Sequence, residues 1–250
     1  MFRALMIAVL VLSGCKKKPP ETSDEVYTGG FVDIVIEEDE QELFGSELMI
    51  ATAECGDLVR MEPAAMMGKL KDGEIRCLDQ SLREAERQTV KDKLSRLLLA
   101  DAHAKGDMHR WEGIVRRHLE DIDRSDPDIC YKFARYLATK DAEYADEAMR
   151  WADVALENRT RWTGDEHVKR VYALYKLKAL SAQKLWQWQE ERYIIEPSDD
   201  KLEEKRETRN LTKTLAREWL EYARSSGKDP TAAMQLCVSA AGTDEFCEGP

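Results

Sequence analysis

Helix-start and helix-stop signals recur along this chain at intervals too short for anything but helical hairpins. Ser81 with Glu84 reads as a capping box, and an apolar period runs from there to Ala104, just before Gly106. Asp107 can cap a second helix carrying Trp111, Ile114, Val115 and Leu119. Asp126-Pro127 supplies an N-cap followed by proline at the first helical position. Asp141 and Asn158 bracket a fourth helix, and Thr163 with Glu166 opens a long one that runs until Pro197. Ser198 begins the next, Gly227 closes it, and Asp229-Pro230 opens a last short helix ending at Gly242. The connections are two to six residues long, so neighbouring helices must lie antiparallel. The helical period sets in after Pro63, which predicts an all-α body over residues 61–250.

The long helix strengthens this reading. Val168, Val171/Tyr172, Tyr175, Ala179, Ala182 and Trp186 form one apolar stripe, while Leu174, Leu177, Leu185 and Trp188 form a second. One buried face needs one stripe; two stripes predict neighbours on both sides. By contrast, Asp199 to Asn210 contains one apolar residue, Leu202, and is expected to project into solvent.

The formal net charge of −11 is unevenly distributed. Arg3 and Lys16–Lys18 are the only charged residues before position 19, whereas residues 19–59 carry twelve acidic side chains and no basic one. By difference the helical body, 60–250, is near neutral at −3. This balance excludes a polyanion binder, so no nucleic-acid partner is expected. Residues 15–60 read as an acidic linker, with one alternating run, Phe31 to Ile36, that predicts a short strand. Glu37 to Glu42 is expected to be a solvated spacer.

The basic end has its own logic. Arg3 precedes nine apolar residues, Ala4 to Leu12, and then Leu12-Ser13-Gly14-Cys15. A positive start, a short apolar run and small residues before a cut site describe a secretory signal over residues 1–14. A cysteine directly after Leu-Ser-Gly resembles the lipobox of bacterial lipoproteins. The resemblance implies that Cys15 becomes the lipid-carrying mature N-terminus and anchors the chain to a membrane of the cell envelope. Lys16, in place of the Asp that retains lipoproteins at the inner membrane, favours the outer one. Export also permits disulfides among the remaining cysteines. Proximity favours Cys55–Cys77 and Cys237–Cys247, while Cys130, beside Phe133 and Ala134, reads as a buried small apolar residue.

Within the body, Ala104-Lys105-Gly106-Asp107 and Ala138-Thr139-Lys140-Asp141 occupy corresponding turns 34 residues apart, and Leu99-Ala100 falls on Phe133-Ala134. That period is the one of the tetratricopeptide repeat. Asp146-Glu147-Ala148 through Trp151 to Ala155-Leu156-Glu157 resembles the second helix of that family, with Ala148 and Ala155 as the small residues that let paired helices approach. The resemblance is clearest over residues 92–160. It departs at Trp111 and Gly113 in the first unit, and the third unit is displaced by about 44 residues. It implies a short tetratricopeptide-like solenoid whose groove is lined by the first helix of each pair, with Asp101, Lys105, Tyr131, Arg135 and Tyr175 near that groove. Such lipoproteins act as scaffolds that hold another envelope protein, in secretin, pilus, gliding or outer-membrane assembly machines.

Chemistry-bearing motifs are sparse. His103, His109, His118 and His167 form no HExxH and no i, i+4 pair, so no metal and no cofactor is expected. No GxSxG, phosphate-binding loop or CxxC occurs. Asp121, Asp123, Ser125, Asp126 and Asp128 resemble the opening of an EF-hand calcium loop. Asp126 replaces the turn glycine, however, and Lys132 replaces the bidentate glutamate. The alternative to a scaffold is an envelope enzyme or ligand-binding lipoprotein with a site around His103, His109 and His118.

Overall fold

The computed structural model describes residues 48–49, 52–162 and 166–248. Among these the chain is helical, with no strand. The helices are α1 (Leu58–Met66), α2 (Asp72–Glu84), α3 (Gln88–Ala104), α4 (Met108–Asp121) and α5 (Pro127–Thr139). After a 3-10 turn at Ala142–Tyr144 come α6 (Ala145–Glu157), a second such turn at Arg159–Arg161 and α7 (Glu166–Ile195). The chain continues through α8 (Asp199–Ser225), α9 (Thr231–Ala241) and α10 (Glu245–Glu248). Cys15, the 1–14 signal segment, the 31–36 run, Glu37 to Glu42 and Thr163 all lie outside the described residues.

Most helix ends follow the local chemistry. Asp107 Oδ1 accepts from Arg110 N at 3.1 Å, and Ser198 Oγ accepts from Lys201 N at 3.3 Å. Gly227 and Gly242, at φ +67° and +85°, supply the left-handed turns that close α8 and α9. Two expectations are corrected. Ser81 does not open a helix; it lies buried in the last turn of α2, and the break falls at Ala85, whose backbone is extended. A stronger start sits upstream, where Glu74 accepts from Lys71 N at 2.8 Å, three residues back in the sequence. Nor does the helical body wait for Pro63: Asp57 caps α1, and Pro63 lies inside that helix.

From α2 onward each helix packs on the next in sequence; α1 packs on α3, and α5 also meets α7. Helices α5 and α6 are in close contact, and Ala134 of α5 and Ala148, Ala152 and Ala155 of α6 are all fully buried. Helix α7 is buried on two sides, as its stripes predict. Leu174 is fully buried, and Ala179, Ala182 and Leu185 join Leu215, Ala216 and Trp219 of α8 in one core, while Val168 and Trp188, at the ends of the two stripes, are exposed.

Helices α7 and α8, of 30 and 27 residues, form an antiparallel hairpin with stacked Tyr175 and Tyr222 along it. The charged half-helix 199–210 is therefore not solitary. Lys205–Glu190 at 2.8 Å, Arg192–Glu204 at 3.2 Å and Lys201–Glu196 at 2.6 Å tie it to the end of α7. Apolar spacing could not report this contact, because ion pairs make it.

Cys55–Cys77 ties the residues before α1 to α2, and Cys237–Cys247 ties α9 to α10, with Cα atoms 5.3 and 6.0 Å apart. Cys130 is a free, buried thiol, its pKa pushed up to about 12 by burial. Replacing Cys237 and Cys247 together by serine is expected to lower stability by about 2–3 kcal/mol, because the bridge closes a short loop in the unfolded chain. Urea unfolding followed by tryptophan fluorescence measures this, and an unchanged midpoint would mean the bridge does not form.

Candidate functional site

Helix α5 begins at Asp126, and that one carboxylate serves two purposes. Its Oδ1 accepts from Asp128 N at 2.9 Å and Ile129 N at 3.1 Å, satisfying amides the helix start leaves unpaired. Its Oδ2 receives Arg96 Nη2 from α3. Arg96 Nε in turn donates to both oxygens of Asp92, each at 2.9 Å. From α4, His118 enters the same cluster with no exposed surface. Its Nδ1 lies 3.1 Å from the buried Ser95 hydroxyl. Its Nε2 faces Asp126 Oδ2 at 3.4 Å and Asp92 Oδ1 at 3.8 Å, without a hydrogen-bond partner among the described residues.

Burial opposes ionisation of Asp126, but His118, Arg96 and the Ile129 amide outweigh it and hold the carboxyl well below the usual range. Burial likewise opposes the Arg96 charge, and Asp126 and Asp92 overcome it, so the guanidinium stays charged. Asp92, His118 and Asp126 present donor atoms within 4.8 Å of one another, a constellation able to hold a metal ion. The one local signal for this cluster is His118 itself. It falls on the stripe Trp111, Ile114, Val115, Leu119, where an ionisable side chain needs a buried partner.

A second cluster joins α5 to α7. Tyr131 is 7% exposed, and Arg135 lies over its ring at 5.4 Å while donating to its hydroxyl at 3.2 Å. Arg170 of α7 stands 5.9 Å from the Tyr131 ring and 5.5 Å from that of Trp162, and pairs with Asp128. Trp162 Nε1 donates to Asp128 Oδ1 at 2.9 Å. Burial brings the Lys132 pKa down to about 8, against the pull of Asp128. Tyr131 and Trp162 are buried and Arg135 is solvent-exposed, so the cluster presents a guanidinium to solvent over buried rings.

The other residues named from the resemblance have different settings. Asp101 is fully buried, accepting from Leu70 N at 3.2 Å and pairing with Lys105 at 3.0 Å and with Arg110. Lys105 Nζ also donates to Leu70 O at 2.7 Å. These bonds staple the end of α3 to the α1–α2 turn. Gly68 admits that close approach: at φ +64°, a Cβ there would sit 3.1 Å from the Lys105 backbone nitrogen. Tyr175 turns to Tyr222 of α8. Thus Tyr131 and Arg135 come together, while Asp101, Lys105 and Tyr175 are engaged elsewhere.

The three histidines of the enzyme alternative stand in unlike environments. His109 is exposed, His118 is buried, and His103 sits edge-on to Trp111 at 6.5 Å. Burial and then the Lys132 charge lower the His103 pKa. Three carboxylates of the acidic 121–128 segment face protein cations: Asp123 pairs with Arg161 at 2.8 Å, Asp126 with Arg96 and Asp128 with Arg170. No protein-family model, no curated protein and no solved structure matches the chain.

Asp126→Asn is expected to lower stability by about 3 kcal/mol at pH 7, because Arg96 is left without its most buried counter-charge. Folding depresses the Asp126 pKa, so its stabilisation is complete above the unfolded carboxylate value of about 3.9 and fades as pH falls below it. The difference between wild type and variant, measured by urea unfolding, should therefore shrink toward pH 2–3. A difference independent of pH would mean that the neutral cap alone matters.

Proposed function

We propose that this chain is a lipid-anchored adaptor of the bacterial cell envelope that holds a segment of another envelope protein against the face formed by α5 and α7. The observation that carries this reading is the Tyr131–Arg135–Arg170 cluster. Buried rings that hold ordered cations, with Arg135 open to solvent, provide a rigid cationic anchor of the kind on which binding energy concentrates. In this reading α3–α4, α5–α6 and α7–α8 are successive hairpins of a short tetratricopeptide-like solenoid. The fully buried alanines of α5 and α6 and the α5–α7 contact support it.

Two further features support the location. Both disulfides suit an oxidising compartment. Among the described residues no helix is long and apolar enough to cross a membrane, so the anchor in this reading is the lipid on Cys15. The role is assembly or operation of an envelope machine such as a secretin, a pilus, a gliding apparatus or an outer-membrane assembly complex.

A photo-crosslinking residue at position 135 is expected to trap a discrete adduct in intact cells. The same residue at Arg150, 67% exposed on α6, should not. Tyr131→Ala should abolish the adduct, and Cys15→Ala should move the protein out of the membrane fraction. Equal trapping at both positions, or none at 135, would contradict the assigned face; unchanged fractionation would contradict the anchor.

A further inference from the structure

The geometry points to a divalent transition-metal site, with Zn2+ the best-matched ion, built from His118 Nε2, Asp92 Oδ1 and Asp126 Oδ2. Two donors that share an ion at bond lengths of about 2.0–2.2 Å lie roughly 3–4 Å apart. The two separations from His118 Nε2, 3.4 and 3.8 Å, fall in that interval. The donors come from α3, α4 and the α4–α5 connection, so they converge only in the folded chain.

The histidine is what distinguishes this cluster from an ordinary network of ion pairs. A fully buried ring nitrogen normally has a hydrogen-bond partner, and His118 Nε2 has none among the described residues. The other ring nitrogen lies against Ser95 Oγ at 3.1 Å. In the tautomer whose Nδ1–H donates to Ser95 Oγ, the Nε2 lone pair is directed at the two carboxylate oxygens, and a metal ion there would take the place of an Nε2 proton. Three electron-rich atoms facing one another call for a positive centre between them.

Arg96 supplies part of that charge and fixes the geometry. It donates to both carboxylates, as outer partners of metal ligands commonly do. The cluster sets two carboxylates against one guanidinium. A divalent ion could also carry an outer anionic or water ligand. That outer ligand would enter at Asp92, whose side chain is 17% exposed while His118 is sealed. One nitrogen and two oxygens form a borderline-hard donor set suited to Zn2+, and an open position is compatible with its four-coordinate preference.

The test is calorimetric titration of Zn2+ alone into the chelator-stripped full-length chain in detergent, with native mass spectrometry for stoichiometry. One ion per chain is expected. His118→Gln and Asp92→Asn should each weaken binding at least about a hundredfold with unchanged circular dichroism. Replacing His103, His109 and His167 together by glutamine should leave affinity within about twofold. Co2+ in place of Zn2+ should give visible absorption bands that His118→Gln removes. Absence of saturable binding overturns the site. So does loss of binding in the triple variant, which would indicate adventitious surface histidines, or full retention in Asp92→Asn and His118→Gln.

Discussion

Asp126 divides its two oxygens between the start of α5 and a buried cluster that reaches α3 and α4. The first task is local and orients the helix; the second is tertiary and decides where that helix sits. Burying a carboxylate and a guanidinium is unfavourable unless both are held in good geometry, and removing one partner costs about 3–5 kcal/mol. The cluster therefore penalises any arrangement of α3, α4 and α5 in which Arg96 or Asp126 loses its counterpart. Apolar contacts alone tolerate small slips along a helix, whereas these charged contacts do not. The adjoining surface inherits the constraint: two residues along, Asp128 positions Trp162 and Arg170, and these frame Tyr131 and Arg135.

Helix ends were legible where a side chain caps the chain on its own. Asp107, Asp126, Ser198 and Gly242 all act where short-range pattern places them. Ser81 misled because Ser-x-x-Glu is a local signature that a helix interior can also contain; Cys77 and Leu78 already belong to the same helix. The half-helix 199–210 is largely exposed, as its composition implies, but its partners were not legible. Apolar periodicity reports apolar burial, and this segment is held by Lys201, Glu204 and Lys205 reaching across to α7. Sequence proximity anticipated both disulfides, since short loops are the easier ones to close.

The site was less legible than the fold. Tyr131 and Arg135 lie one helical turn apart, so their pairing is a matter of helix geometry. Arg170 joins them from 35 residues or more away, through a register that no local pattern encodes. Asp101 shows the opposite case. A resemblance places it near a groove, yet its partners Leu70 and Arg110 draw it into the interior. His118, Asp92 and Asp126 are each unremarkable in sequence: a histidine on an apolar stripe, a helix-face aspartate and a cap. Their chemistry arises from convergence, and convergence belongs to tertiary structure.

The buried charge pair of Arg96 and Asp126 acts as a unit, and a double-mutant cycle tests that directly. Arg96→Met, Asp126→Asn and the combined variant would be compared with wild type by urea unfolding at pH 7. The predicted coupling energy between Arg96 and Asp126 is about 2–3 kcal/mol, with the double variant less destabilised than the single effects together imply. A coupling below about 0.5 kcal/mol would mean the two residues act independently and that the cluster does not set the packing of α3, α4 and α5.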